Sequence, residues 1–152
     1  MLLDYQILPA ITAPTMAEFA LLKTFENRLR ICDFKLSCVL LNNTKLPWVF
    51  LIPMRPDVVQ INQLADVDQL QLMREMTAVS DAMEALFPCD RLNVAAIGNR
   101  TPQLHVHVIC RTEDDGCWPE TVWQYSCEKI SGEEYEFRCE KIRKALESSP
   151  CL

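Results

Sequence analysis

The chain has 152 residues, of which 49% are hydrophobic and 24% are charged, and its formal net charge is −6. This length is typical of one domain, so we expect a single domain over residues 1–152. The negative charge argues against a sequence-independent nucleic-acid binder, which needs a basic face to displace counterions, and against an anionic membrane surface as a partner.

Apolar residues and cysteines are distributed as in a cytoplasmic protein. No uninterrupted apolar run approaches the roughly 18 residues that a membrane-spanning helix needs, and the first residues lack the pattern of a secretory signal. The eight cysteines include no Cys-x-x-Cys pair. We therefore expect reduced thiols in the cytoplasm rather than a disulfide framework.

The first half of the chain predicts a helix followed by a β-hairpin. Thr15 and Glu18 fit a capping box, and apolar residues at helical spacing predict a helix over about residues 16–29. Residues 36–41 and 48–52 have the apolar composition of strands, and the asparagines between them supply a turn.

The second half predicts a long helix, further strands and a terminal helix. Asp66 fits the start of another capping box, and apolar residues spaced alternately by four and three predict a helix over about residues 67–86. Residues 92–97 predict a third strand. Ser131 fits the N-cap of an amphipathic helix predicted over about residues 132–147.

The only two histidines lie two residues apart in a segment rich in β-branched residues. Successive side chains of a strand point to opposite faces, so Gln103, His105 and His107 share one face, and Leu104 and Val106 share the other. The two imidazoles would lie about 7 Å apart, from a rise of roughly 3.3 Å per residue. A neutral imidazole can act as a nucleophile or a base near pH 7. This row is therefore a candidate site, although ordinary packing histidines would give the same pattern.

Residues 103–109, Gln-Leu-His-Val-His-Val-Ile, resemble the histidine triad (HIT) signature, in which three histidines alternate with apolar residues. Here glutamine occupies the first histidine position, and the resemblance covers about residues 35–118. In that family the middle histidine attacks the α-phosphorus of a nucleotide, and water then hydrolyses the nucleotidyl-histidine. By position, the resemblance implies that His105 is the nucleophile, His107 the third triad member and Gln103 the first.

The resemblance also implies substrate contacts outside the row. Asn42 matches a family asparagine that approaches the nucleoside, and Asn99 and Arg100 match the neighbourhood that holds the α-phosphate. Both asparagines also fit plain turn residues. Trp48 stands where the family often has a fourth histidine.

The implied fold is α+β and HIT-like, with an antiparallel sheet of about five strands, a long helix packed on it and a C-terminal helix. The implied function is hydrolysis or nucleotidyl transfer at the α-phosphate, on phosphoramidates or dinucleoside polyphosphates, by a homodimer that uses no cofactor. A metal is not required, because hydrogen bonds and cations can activate the phosphorus.

Three other interpretations stay open. Glutamine at position 103 and Trp48 favour a nucleotide-binding module that has lost its activity. A purely structural α+β domain is the second. The third is a zinc site formed by the histidines with Cys110 and Cys117, although Cys110 is an odd number of residues from both histidines and should face the opposite side.

Overall fold

The computed structural model of the chain describes residues 18–152. Its helices in chain order are α1 Lys23–Glu26, α2 Asp66–Leu86 and α3 Gly132–Leu146. Its strands in chain order are β1 Arg30–Asp33, β2 Ser37–Leu41, β3 Trp48–Pro53, β4 Arg91–Ala95 and β5 Val106–Arg111. No helix among the described residues is long and apolar enough to cross a membrane.

The five strands form one antiparallel sheet in the order β1-β2-β3-β5-β4. Strands β2 and β3 form the predicted hairpin, and β3 pairs along its other side with β5. The α+β class and the antiparallel sheet of about five strands are therefore confirmed. Because β5 lies between β3 and β4, the histidine segment is held inside the sheet.

The two faces of the sheet pack against different parts of the chain. On one face, β2, β3 and β5 contribute to a core that also buries apolar residues of α2 and α3. Leu104, Val106 and Val108 belong to that core, as the alternation predicted. The opposite face carries a smaller cluster that includes Phe25 and Phe50, and it is the face on which the histidines lie.

Most of the described part of the helix predicted over residues 16–29 is not helical. Residues 18–22 are not helical, and α1 is a single turn. The apolar residues that suggested one helical stripe pack on both faces of the sheet, since Phe25 joins the smaller cluster whereas Leu29 packs against the larger core. The capping box at Thr15 begins outside the described residues.

The chain after α1 is held by tertiary hydrogen bonds that a local pattern does not reveal. Leu29 N–H donates to the Tyr135 hydroxyl at 3.0 Å, and Leu41 N–H donates to the Leu29 carbonyl at 2.9 Å. These bonds lead directly into β1, which the sequence prediction missed.

The two long helices lie close to their predicted bounds but begin differently. At α2 the predicted cap is wrong, because the N-cap is Ala65 and no side chain caps the first turn. Gln69 instead donates a hydrogen bond from its side-chain amide to the Leu64 carbonyl at 2.9 Å, just before the helix begins. At α3 the predicted cap is confirmed, since the Ser131 hydroxyl accepts from Glu134 N–H.

Candidate active site

The two histidines lie side by side on one face of the sheet, as predicted. Their ring centroids are 4.9 Å apart, and the residues are only 6% and 5% exposed. His107 belongs to β5, whereas His105 comes just before the strand begins at Val106. The rings therefore lean together more closely than the rise of a regular strand would place them.

His105 is fixed in one tautomer by its own neighbourhood. Its Nδ1 is 2.7 Å from the backbone carbonyl of Gln103. A carbonyl can only accept, so Nδ1 carries the proton and Nε2 of the neutral ring keeps its lone pair. Phe25 packs edge-on against the His105 ring at 5.1 Å between centroids and limits its rotation. The result is a positioned imidazole with one nitrogen able to act as a nucleophile.

His107 is held in the neutral state by a different arrangement. The indole N–H of Trp48 donates to His107 Nδ1 at 3.1 Å, and Nε2 lies 3.3 Å from the Ile97 carbonyl. An indole N–H only donates, so Nδ1 is unprotonated and Nε2 carries the hydrogen. Burial lowers the pKa of His107 to about 4, and the nearby positive charge of Arg28 acts in the same direction.

The histidines form one wall of a cavity of about 510 Å³. Aromatic rings make up much of the lining, where Phe25 packs against Phe50 and Trp48 packs against Trp123. Polar side chains of the lining include the three predicted substrate contacts, which are Asn42, Asn99 and Arg100. The structure thus brings together five of the six site residues that the sequence suggested.

The sixth residue, Gln103, does not line this cavity. Its side-chain Nε2 donates to the Ala20 carbonyl at 2.8 Å, and its Oε1 accepts from Leu22 N–H at 3.1 Å. The amide thus pairs with the backbone like another peptide group and ties residues 20–22 to the loop before β5. Only the backbone carbonyl of Gln103 contacts His105.

Arg28 is a cavity residue that the sequence prediction missed. Its guanidinium lies 4.8 Å from the centroid of the Phe50 ring, and Nη1 donates to the Thr24 carbonyl at 3.0 Å. Its Nε is buried and has no hydrogen-bond partner among residues 18–152. Burial lowers the pKa of Arg28 but leaves it charged. No local signal pointed to this residue, because its place depends on how α1 folds back over the sheet.

The cysteines of the zinc interpretation are not with the histidines. Cys110 lies in the core beneath the helices, on the opposite face of the sheet. Cys117 Sγ is 3.3 Å from both Arg111 and Asp115, which form a buried ion pair. Among residues 18–152, no group of three or more histidine, cysteine, aspartate or glutamate side chains is placed to hold a metal ion.

Known proteins resemble this chain in both sequence and fold. The family model described as HIT domain matches residues 26–114. A histidine triad protein from Bradyrhizobium japonicum is 38% identical over 85% of this chain and 98% of its own, with a TM-score of 0.81. A histidine triad protein from Marinobacter aquaeolei is 34% identical over 86% of this chain and 98% of its own. One from Sinorhizobium meliloti is 32% identical over 87% of this chain and 100% of its own. Both have a TM-score of 0.81. No curated protein matches the sequence.

Proposed function

Because this chain belongs to the HIT-domain family, we propose that it hydrolyses or transfers nucleotides at the α-phosphate through a covalent nucleotidyl intermediate on His105. The observation that best supports this proposal is the 2.7 Å contact between His105 Nδ1 and the Gln103 carbonyl. It fixes the tautomer whose Nε2 can attack phosphorus, and a fixed nucleophile removes much of the entropic barrier to in-line attack.

The reaction divides into two displacements. In the first, the Nε2–P bond forms while the bond from phosphorus to the leaving group breaks. Nδ1 keeps its proton, so the adduct is a nucleotidylated imidazolium, and its positive charge makes it reactive. In the second, water attacks the phosphorus, the P–N bond breaks and the neutral imidazole is restored, while solvent takes the proton of the water. In a transferase another acceptor replaces the water.

The cavity lining suggests how the substrate is held. We assign Asn42 to the nucleoside and the loop residues Asn99 and Arg100 to the α-phosphate. The Nε2–H of His107 makes only a long 3.3 Å contact with the Ile97 carbonyl, so it can instead donate a hydrogen bond to a phosphate oxygen. Gln103 acts by positioning, because its carbonyl orients His105 while its amide holds residues 20–22.

The nucleophile is tested by comparing two variants. The chain has only two histidines, so a histidine adduct must form on His105 or on His107. We expect His105→Ala to lower turnover of adenosine 5′-phosphoramidate or diadenosine triphosphate by roughly 10⁴-fold or more and to abolish the adduct seen by intact-protein mass spectrometry. The matched variant His107→Asn should react more slowly but still form the adduct. An adduct in His105→Ala would contradict the assignment.

A nucleotide-binding module without turnover is the second candidate. It is favoured by Gln103, which replaces the first histidine of the signature, and by Trp48, which stands where the family often has a fourth histidine. Their side chains are engaged with Leu22 and His107. Calorimetry with adenosine monophosphate distinguishes the two functions. Tight binding together with no turnover of either substrate would support the module.

We also propose that the protein is a homodimer in the cytoplasm. Strand β4 lies at the edge of the sheet, and its Val94 is 41% exposed, so a second copy can pair along it. All eight cysteines are free thiols, which fits a reducing compartment. Sedimentation velocity should give the mass of a dimer for the wild type and a monomer for Val94→Arg.

A further inference from the structure

The proton donors around the histidines restrict the leaving groups that this site can release. A displacement at phosphorus expels a group that takes the bonding electron pair with it. A phosphate or another acidic group leaves as a stable anion, whereas an amine must receive a proton as it departs. Which proton donors line the cavity therefore bears on which substrates react.

Within residues 18–152, the cavity lining contains no aspartate, glutamate, cysteine, tyrosine or lysine. Its polar groups other than the histidines are hydroxyls, amides, the indole N–H groups of two tryptophans, and two arginines, Arg28 and Arg100. Hydroxyl and amide groups are far too weakly acidic to protonate a leaving group, and arginine does not give up its proton in proteins. The arginines can still donate hydrogen bonds to a departing anion.

Neither histidine supplies the proton either. His105 is the nucleophile, and its only proton is on Nδ1, bonded to the Gln103 carbonyl away from the attacking nitrogen. His107 is neutral, because Nδ1 accepts the Trp48 N–H and burial opposes a charge there. The N–H of a neutral imidazole is a hydrogen-bond donor but a far weaker acid than that of an imidazolium.

The two positions where the HIT family has, or often has, a further histidine provide no acid. The Gln103 amide is occupied by the backbone of Ala20 and Leu22. Trp48 donates its only polar hydrogen to His107. These contacts engage both side chains, and neither an amide nor an indole is acidic enough to protonate a leaving group.

From this arrangement, and on the condition that the hydrolase function above is right, we propose that the enzyme selects nucleotide conjugates whose leaving group departs as a stable anion. The class comprises phosphoric anhydrides of a nucleotide and comparably acidic esters. In the first step the Nε2–P bond forms, the P–O bond breaks, and the leaving group keeps the electron pair and receives no proton from the protein. Arg28 and Arg100 stabilise the negative charge by hydrogen bonds.

The test is a series of aryl esters of adenosine monophosphate that differ only in the acidity of the phenol. Single-turnover release of the phenol reports the first step alone. We expect its rate to fall at least about threefold for each unit by which the pKa of the phenol rises, because no acid compensates for a poorer leaving group. Adenosine 5′-phosphoramidate should react at least about 10²-fold more slowly than the 4-nitrophenyl ester, since that is the smallest usual benefit of general acid catalysis.

Two further measurements examine the proton directly. The solvent deuterium isotope effect on the first step should be near 1, whereas proton transfer to the leaving group would give about 2 or more. His107→Asn should slow every ester by the same factor, so that the dependence on phenol acidity keeps its slope. A steeper slope in His107→Asn would show that His107 supplies a proton and would overturn the inference.

The outcomes separate this inference from the proposed function. A shallow dependence on the phenol, or a phosphoramidate that reacts as fast as the 4-nitrophenyl ester, overturns the selectivity while His105-dependent turnover still supports the hydrolase. Absence of phenol release from every ester overturns the hydrolase function itself. Lys23→Gln is the control for preparation and folding, because Lys23 is exposed on α1 and does not line the cavity.

Discussion

At the scale of single residues, the contact between Trp48 and His107 determines much of the chemistry of the site. The indole N–H is only a donor, so the histidine nitrogen that it meets at 3.1 Å must be unprotonated. A histidine in the place of Trp48 could donate or accept and would leave both protonation states open. Tryptophan removes that choice and makes His107 a neutral donor of hydrogen bonds.

This contact predicts the result of Trp48→Phe. Loss of the indole N–H removes a bond to the neutral form of His107 and admits water beside it. We therefore expect the pKa of His107 to rise from about 4 toward its ordinary value, by roughly one unit, the equivalent of one hydrogen bond. The measurement is an NMR titration of the His107 ring.

The matched control for this titration is Trp123→Phe. Trp123 packs on the His107 ring at 5.4 Å between centroids, but the bond to Nδ1 comes from Trp48. Trp123→Phe removes an indole from the same cavity and leaves the bond from Trp48 in place. The pKa of His107 should therefore change less in Trp123→Phe than in Trp48→Phe. Equal shifts in the two variants would mean that burial alone, without the hydrogen bond, holds His107 neutral.

At the scale of elements, the sheet is tied to α2 by one buried carboxylate. Glu75 is fully buried and accepts hydrogen bonds from the backbone N–H groups of Leu36 and Ser37, at 2.8 and 3.0 Å, where β2 begins. Gln71, one turn earlier on α2, donates to the same carboxylate at 2.9 Å. The start of β2, and with it the hairpin that carries Trp48, is positioned by this helix residue.

We expect Glu75→Ala to lower the free energy of unfolding by about 2–4 kcal/mol, because two buried backbone N–H groups lose their acceptor. Glu75→Gln should lower the free energy of unfolding by less, since the amide oxygen still accepts a hydrogen bond from one of these N–H groups. Urea unfolding gives both values. Arg74→Ala, at the exposed neighbouring position, should change the stability by no more than about 0.5 kcal/mol. A Glu75→Ala variant as stable as this control would refute the role of the carboxylate.

The elements that the sequence predicted well are those with a long local pattern. The apolar stripe of α2 and the Ser131 cap of α3 are encoded within a few turns, and both helices lie close to their predicted bounds. By contrast, α1 and β1 depend on distant partners, such as Gln103 for Leu22 and Tyr135 for Leu29. No pattern within residues 16–33 contains that information, so the prediction made α1 too long and missed β1.

The residues of the candidate site likewise divide into those that a local sequence pattern predicts and those that depend on distant contacts. The alternation rule placed the imidazoles on one face, and the resemblance to the HIT signature placed Asn42, Asn99 and Arg100 near them. Arg28 was missed because it reaches the cavity only when α1 lies over Phe50. The position of the Gln103 side chain likewise depends on residues 20–22, which are more than eighty positions away in the chain.

At the scale of the whole molecule, the two faces of the sheet have different functions. The face under α2 and α3 buries most of the apolar core and supplies stability. The other face buries two imidazoles and partly buries an arginine among aromatic rings. Burial lowers the pKa of His107 and keeps its ring neutral. Burial of a neutral histidine links the stability of the fold to pH.

The direction of that link follows from the two pKa values of His107. The folded-state pKa is about 4 and the ordinary value is 6.5, so between these values the unfolded chain binds a proton that the folded protein does not. The free energy of unfolding should therefore be greatest above pH 6.5 and fall as the pH decreases toward 4, by at most about 1.4 kcal/mol per unit from this one group.

His107→Asn isolates this contribution, because the carboxylates that also respond to acid are the same in both proteins. Asparagine keeps an acceptor for the Trp48 N–H but has no titrating group. Urea unfolding at pH 7, 6 and 5 should show the wild type losing stability more steeply than the variant, and the difference between the two curves should grow as the pH falls. Parallel curves would mean that His107 takes up its proton equally in the folded and unfolded states, so that burial and the Trp48 contact do not hold its imidazole neutral below pH 6.5.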